Sequence, residues 1–258
     1  LGEDGFKMSK SRDNVIGPED VMGPYGVDAL RQWAAAGSST GQDILFNWND
    51  VVAASRFQTK MWNIVRFSLM QIQKESPVPE TDAPSTLIDR WMLANLSKTV
   101  AEVTESMDAY LFDKGLKTIR EFAWNIMADE YLEFVKGRLY SEDPLRAGAI
   151  YTLKTTLDAL CKMLSPYIPF FAQECYHHLS GGKRIIDQPW TTFSYADEDA
   201  LRDGDLVVKI VSLLRKYKHD SGLALNSPLG NVTIYTPSHD IDDSGDLGRT
   251  INATVVWK

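Results

Sequence analysis

The sequence predicts a mainly α protein: an antiparallel helix bundle with a connector before it and a small mixed α/β appendage after it. Apolar residues recur at helical spacing along three long segments between residues 85 and 164. Short connections separate these segments, which favours antiparallel packing. Runs typical of β-strands occur beyond the bundle, at 231–235 and 253–257. We therefore divide the chain into a connector, a helical domain and an α/β subdomain, over residues 1–48, 49–180 and 181–258.

The connector contains a loop rich in lysine and serine. Two ammonium groups and two hydroxyls lie close together in the run Lys7, Met8, Ser9, Lys10 and Ser11. Ammonium groups suit a polyphosphate as point charges, and hydroxyls can turn to follow a phosphate oxygen. The pattern indicates a phosphate-binding loop. A solvated surface loop of the same composition is the alternative.

A long helix is predicted from about residue 49 to residue 73, after two short helical stretches that Gly23–Pro24 separates. One stripe of this helix is apolar and is expected to face a core. The other stripe carries Arg56, Lys60, Asn63 and Phe67. These side chains suit RNA, because they can contact phosphates, a base edge or sugar, and an unstacked base. A solvated face, with Phe67 packed under the next helix, is the alternative.

Proline positions divide the rest of the helical region. An extended linker is predicted by Pro77, Pro79 and Pro84. The bundle helices are then expected over roughly 85–108, 112–139 and 144–164. Pro166 and Pro169 end one helix and begin the next, and the two aromatic residues Phe170 and Phe171 are expected to close the end of the bundle.

A last helix, predicted over 199–219, ends in a basic cluster. The cluster contains the cations Arg215, Lys216 and Lys218, and Tyr217 lies between two of them in the sequence. The cluster suits an RNA backbone with base stacking, but cations at a helix C-terminus also interact favourably with the helix dipole. The net charge of −8 argues against a non-specific nucleic-acid binder, so an RNA contact must come from local patches such as this one.

Composition excludes several other classes of protein. No run approaches 18 apolar residues, so no membrane segment is predicted and the cytoplasm is the expected compartment. Cys161 and Cys175 are too few for a disulfide framework or a four-thiolate zinc site and are expected to be buried free thiols. Adjacent side chains project about 100° apart on a helix. His177 and His178 are therefore expected to be surface histidines, and no metal site is predicted.

The lysine-rich loop and its flanks resemble a signature of the class I aminoacyl-tRNA synthetases. The motif D-G-x-K-M-S-K-S-x-x-N at residues 4–14 matches their second signature. Residues 15–43 are similar in order and spacing to the enzymes for valine, isoleucine and leucine. The step G-x-x-x-G-Q-D at 37–43 looks most like the valyl enzymes, and the isoleucyl and leucyl enzymes are the alternatives. The run 164–170 resembles the last helix of the family's anticodon-binding bundle.

One position departs from the family's pattern. Asp13 stands where the family commonly has glycine. A carboxylate beside a phosphate-binding loop would repel the ligand, so either Asp13 points away or the turn of the loop differs from the usual one.

The resemblance implies a function for each part. The loop is expected to contact ATP, with Lys10 neutralising the departing pyrophosphate, Lys7 assisting, and Ser9 and Ser11 holding the loop or donating to phosphate. The helical part is expected to bind tRNA. ATP with Mg²⁺ and an amino acid are the other implied ligands of the full-length enzyme.

Two expected parts of such an enzyme are not found in the sequence. These are the nucleotide-binding sheet and the histidine-containing first signature of the family. We therefore expect the chain to be the C-terminal portion of a longer enzyme, which binds but does not catalyse alone. An alternative from another class is a helical interaction module without an RNA role.

Overall fold

The computed structural model describes residues 1–37, 41–74, 86–236, 241 and 244–258. The predicted linker prolines at 77, 79 and 84, and residues 38–40 of the glycine-rich step, lie outside the described residues. Within the described residues the protein is mainly helical with one small sheet, which confirms the predicted fold class.

Two short helices follow the lysine-rich loop. Helix α1 spans Pro18–Tyr25 and α2 spans Val27–Ala36. The predicted break at Gly23–Pro24 is wrong, because α1 continues through Pro24. The chain leaves the helix at Gly26 instead, whose φ of 83° favours glycine.

The long helices follow the predicted periodicity closely. Helix α3 spans Trp48–Ile72 and α4 spans Leu87–Asp108. On α3 the buried residues Phe57, Met61 and Ile64 recur at intervals of four and three, as the apolar stripe requires.

The helix predicted over 112–139 is helical throughout but not uniformly α. Helix α5 spans Phe112–Glu121, a π-helical segment spans Phe122–Tyr131, and α6 spans Leu132–Leu139. The wider π turn changes which residues face inward, because its hydrogen bonds close over five residues instead of four. Met127 is fully buried, whereas Ile126, which α-helical spacing would place in the core, is half-buried.

The C-terminal part combines helices with a two-stranded sheet. Helices α7 and α8 span Arg146–Leu164 and Pro169–Ser180, and α9 spans Glu198–Asp220. Strand β1, Gly230–Ile234, pairs in parallel with β2, Ala253–Trp257, with Gly230 opposite Ala253. Parallel strands need a crossover, and α10, Asp246–Ile251, lies within it. The predicted small α/β appendage is thereby confirmed.

The chain divides into two compact units, and several helices contribute to both. The first comprises residues 1–70, 98–123 and 157–193, and the second comprises 71–97, 124–156 and 194–258. The domain boundaries that the sequence predicts at 48 and 180 divide the chain differently and stay a prediction.

In the first unit, an aromatic and aliphatic cluster supports the lysine-rich loop. Buried Val21, Ala29, Phe46, Val51 and Ala54 form its centre, and Met8 of the loop packs against it. The ring of Phe46 lies 5.0 Å from Trp33 and 4.9 Å from Trp48 in tilted and edge-on contacts, geometries that aromatic pairs favour. The loop is therefore held at its base by a core.

Helix α2 is joined to α8 through polar contacts in the same unit. The Asp28 carboxylate accepts a hydrogen bond of 2.7 Å from the Phe171 N–H, in the first turn of α8. Arg31 donates to the main-chain oxygens of Tyr167 and Pro166 at 3.1 and 2.8 Å. Asp28 thus caps a helix whose own cap residue, Ile168, offers no side-chain acceptor.

In the second unit, the core contains a buried ion cluster around Arg138. Its fully buried guanidinium contacts Asp89 of α4 at 2.8 Å and Asp246 of α10 at 3.0 Å. The Tyr131 hydroxyl donates to Asp89 at 2.7 Å. Burial and the adjacent Asp89 raise the pKa of Tyr131, so its hydroxyl keeps its proton and remains a donor. The cluster connects α4, α6 and α10 within this unit.

Candidate functional site

The lysine-rich loop is exposed along most of its length. The Lys7, Lys10 and Ser11 side chains are exposed, and Met8 and Ser9 are half-buried. Ser9 is extended, and Lys10–Arg12 form a single 3₁₀ turn. Within the described part of the chain, neither Lys7 nor Lys10 forms an ion pair. Both ammonium groups are therefore available to an anion from solvent.

Asp13 closes this turn in the left-handed conformation, with φ 51° and ψ 31°. Its main-chain N–H donates to the Lys10 carbonyl at 3.4 Å. Glycine reaches this region without steric cost, and Asp and Asn tolerate it better than most residues. The loop thus has a turn that accommodates glycine, and the Asp13 side chain is exposed to solvent.

A polar cluster that was not predicted from the sequence joins the two ends of the loop. Asn14 accepts from the Ser9 N–H at 2.8 Å and donates to the Asp4 carboxylate at 3.1 Å. The Arg12 guanidinium lies 4.5 Å above the Phe6 ring centre, a cation–π contact on the same loop. Asp4 and Asn14 are the first and last residues of the motif, which was the signal that could have identified them.

The predicted polar stripe of α3 lies on one face. Arg56 and Asn63 are exposed, and Lys60 and Phe67 are half-buried. Their intervals of four, three and four residues place them side by side on a helix. The structure therefore brings all four side chains together on one surface, which we call the α3 face.

Helix α3 also exposes an aromatic residue outside the α3 face, because position 62 projects about 100° from Asn63. Trp62 is 36% exposed, and its ring lies 6.5 Å from Phe171 and 6.4 Å from His178. Phe170 is 67% exposed, so the expectation that it closes the bundle is wrong for this residue. It occupies the first turn of α8, and its neighbour Phe171 is half-buried beside Trp62.

The basic end of α9 is only partly a surface. Lys216 is exposed, but Arg215 is half-buried and lies 3.4 Å from the Glu130 carboxylate. Burial raises the pKa of Glu130, and the Arg215 charge opposes that change. Arg215 therefore already has an anionic partner in the fold.

Lys218 does not belong to any surface. It is 1% exposed, and its ammonium donates to the main-chain oxygens of Leu225 and Ile251 at 2.6 and 2.7 Å. Burial lowers its pKa. The prediction of Lys218 as an RNA-contacting cation is therefore not supported, because a phosphate cannot reach its ammonium. Residues 215 and 218 are three apart and share the inward face of α9, whereas 216 lies on the other.

Metal and membrane features give little further indication of function. Across the ranges that the structure describes, no group of three or more His, Cys, Asp or Glu side chains could hold a metal ion. His178 is exposed and lies 3.1 Å from Glu174. Cys161 and Cys175 are buried free thiols, as predicted. None of the described helices is long and apolar enough to cross a membrane.

Two family models match the chain. The model of the anticodon-binding domain of tRNA ligase matches residues 89–234, which is more than half of the chain. The model of class I tRNA synthetases for I, L, M and V matches residues 1–47. The chain therefore belongs to the family of tRNA-ligase anticodon-binding domains and carries the preceding part of a class I synthetase.

Individual relatives indicate which of the class I synthetases the chain corresponds to. The chain is 48% identical to a valine–tRNA ligase of Archaeoglobus fulgidus over 97% of its length, and 46% identical to that of Methanosarcina acetivorans over 99%. It corresponds to the anticodon-binding portion of valine–tRNA ligases. The chain spans only 29% and 30% of these two relatives.

A solved structure agrees at the level of the fold. The chain is similar to a LeuRS from Agrobacterium radiobacter, solved as a LeuRS–tRNA–LeuAMS ternary complex, with a TM-score of 0.60. The match covers 78% of this chain and 23% of that one at 18% identity. The similarity supports the fold assignment.

Proposed function

We propose that the chain is the tRNA-binding portion of a cytoplasmic valine–tRNA ligase, whose full-length form uses ATP to join valine to its tRNA. The observation that carries the proposal is the coexistence of an exposed lysine–serine loop and the α3 face in a chain whose relatives are valine–tRNA ligases. The chain alone binds tRNA and does not catalyse.

The loop supplies charge where adenylate formation needs it. When the amino acid attacks ATP, negative charge spreads over phosphate oxygens and then leaves with pyrophosphate. Lys10 stabilises that charge and Lys7 assists, while Ser9 and Ser11 hold the loop or donate to phosphate. Mg²⁺ accompanies ATP in the full-length enzyme. One well-placed donor at such a site contributes about 3 kcal/mol or more to the transition state.

Lys10→Ala in the full-length ligase tests this role. We expect the kcat of valine-dependent ATP–pyrophosphate exchange to fall by about 10²-fold, with a much smaller change in valine affinity. Lys98→Ala, an exposed lysine of α4, is the matched control and should keep the wild-type rate. An equal loss of rate and of valine affinity for Lys10→Ala would contradict the assignment.

The α3 face supplies contacts to RNA. Arg56 and Lys60 suit phosphates, Asn63 suits a base edge or sugar, and Phe67 suits stacking on an unstacked base. At the end of α9, Lys216 is an exposed cation that suits a phosphate, whereas Arg215 is already paired with Glu130. Because phosphate contacts release counterions, the affinity for tRNA falls steeply with salt.

Reversal of charge on the α3 face separates an RNA-binding domain from a helical module without an RNA role. The test variant carries Arg56→Glu and Lys60→Glu. The control carries Lys114→Glu and Lys117→Glu, two exposed lysines of α5, and changes the net charge equally. We expect the test variant alone to bind valine tRNA at least about tenfold more weakly and to lower the salt slope by about two. Unchanged affinity would contradict the assignment of this face.

A competition assay tests the choice of amino acid. The isolated chain should inhibit charging of valine tRNA by its ligase more strongly than charging of isoleucine or leucine tRNA by theirs. Stronger inhibition of isoleucine or leucine charging would contradict the valine assignment.

A further inference from the structure

Hydrogen bonds join Asp4 and Asn14 to each other and to the main chain of the loop that they flank. The Asn14 side-chain oxygen accepts from the Ser9 N–H at 2.8 Å. Its amide nitrogen donates to both Asp4 carboxylate oxygens at 3.1 Å. Asp4 in turn accepts from the Phe6 N–H at 3.0 Å. A weaker contact of 3.4 Å runs from the Asn14 amide to the Lys7 carbonyl. The Asp4–Asn14 pair therefore joins the two ends of the segment 5–13.

The partners fix the orientation of the Asn14 amide. The Ser9 N–H can only donate and the ionised Asp4 carboxylate can only accept, so Asn14 must direct its oxygen to Ser9 and its NH₂ to Asp4. The Phe6 N–H and the Asn14 amide lower the pKa of Asp4, which keeps this acceptor ionised at neutral pH. Aspartate at position 14 would place two carboxylates against each other. Alanine would remove the hydrogen bonds to Ser9 and to Asp4.

Gly2 provides the space that this arrangement needs. It is buried, and a Cβ at this position would lie 2.9 Å from the nearest Asp4 carboxylate oxygen and 3.1 Å from the Asn14 amide nitrogen. The first contact is shorter than real Cβ atoms show, so even alanine would displace the pair. Three separate positions along the chain are thus adapted to one small polar cluster.

We propose that Asp4 and Asn14 form a latch that positions the lysine–serine loop for phosphate, a role that rests on the function proposed above for Lys7 and Lys10. The latch holds the Ser9 main chain between the two lysines, so part of the entropy of ordering the loop is lost on folding instead of on binding. Asp4 and Asn14 are positioning residues, and the lysines contact the ligand.

A swap of the two side chains tests the latch. Asn14→Asp opposes two carboxylates, and Asp4→Asn replaces one of the two oxygens that accept from the Asn14 amide with a second NH₂ group. The double variant with both changes restores one donor and one acceptor, and its carboxylate at position 14 still accepts from Ser9. The net charge of the double variant equals that of the wild type. Recovery in the double variant therefore reports the pairing and not the charge.

The first measurement is amide hydrogen exchange at Ser9 in this chain. Each single variant should raise the exchange rate about tenfold, with exchange in the core helices unchanged, and the double variant should recover most of the protection. Unchanged exchange at Ser9 in the single variants would overturn the latch. Failure of the double variant to recover would overturn the pairing on which it depends.

The second measurement is valine-dependent ATP–pyrophosphate exchange in the full-length ligase. The single variants should lower kcat by about tenfold or more without changing the KM for valine, and the double variant should recover to within about threefold. If Ser9 exchange rises but kcat does not change, the loop is latched without consequence for chemistry and the inference is overturned. Failure of the proposed function is distinguishable, because Lys10→Ala would then also leave kcat unchanged.

Discussion

The left-handed backbone of Asp13 explains why the family commonly has glycine at this position. A left-handed φ of 51° costs most L-residues about 1–2 kcal/mol, and aspartate less. We expect Asp13→Gly to raise the free energy of unfolding by about 0.5 kcal/mol and Asp13→Val to lower it by about 1–2 kcal/mol. Urea unfolding of the two variants measures the difference. A valine variant as stable as the wild type would contradict the left-handed assignment.

Asp28 links stability to pH. Burial raises its pKa, although the Phe171 N–H lowers it in part. A raised folded pKa means that the fold favours the protonated form. The contribution of Asp28 to the free energy of unfolding is therefore complete below the ordinary aspartate pKa. It is lost as the pH rises through the pKa of Asp28 in the folded protein.

Asp28→Asn removes this titration and keeps an acceptor for the Phe171 N–H. We therefore expect the stability of the wild type relative to the variant to increase as pH falls from 7 toward about 4, close to the ordinary aspartate pKa. Urea unfolding at several pH values measures the difference. If the free energies of unfolding of the two proteins change in parallel with pH, or if the wild type becomes relatively less stable as pH falls, the raised pKa of Asp28 is contradicted.

At the scale of elements, α9 packs against α4 through a glycine. A Cβ at Gly204 would lie 2.3 Å from Trp91, whose indole N–H donates to Asp205 at 2.8 Å. We expect Gly204→Ala to destabilise the protein by about 1–3 kcal/mol, because the indole must move and its hydrogen bond weakens. Gly23→Ala is the control, since a Cβ there meets nothing within 4 Å. Thermal unfolding compares the two, and equal melting temperatures would refute the close approach.

Helix boundaries could be predicted where apolar spacing is regular. The predicted limits of α3, α4, α7 and α9 fall within two residues of the structure. The π-helical segment could not be predicted, because a 3.6-residue period was assumed along the whole stretch from 112 to 139. Lys218 was predicted to lie on the surface but is buried, for a related reason. The spacing shows that 215 and 218 share a face of α9 but does not show which face the neighbouring elements cover.

The candidate site was predictable to a different extent in each part. Lys7 and Lys10 were identified from residue type and motif alone, and the structure leaves both exposed. The latch residues Asp4 and Asn14 were within the quoted motif, but nothing in a spacing of ten residues indicates that a carboxylate meets an amide. Trp62 was missed because a tryptophan on the edge of an apolar stripe is more often part of the core.

At the scale of the whole molecule, the proposal to be tested is that this chain binds tRNA and contacts the anticodon of the tRNA. The most direct measurement is the affinity of the isolated chain, at fixed salt, for a valine tRNA transcript and for the same transcript with its anticodon bases replaced. We predict at least about tenfold weaker binding of the altered transcript, since bases read in a single-stranded loop supply specificity that backbone contacts do not. Equal affinity for the two transcripts, or no binding of either, would contradict the account.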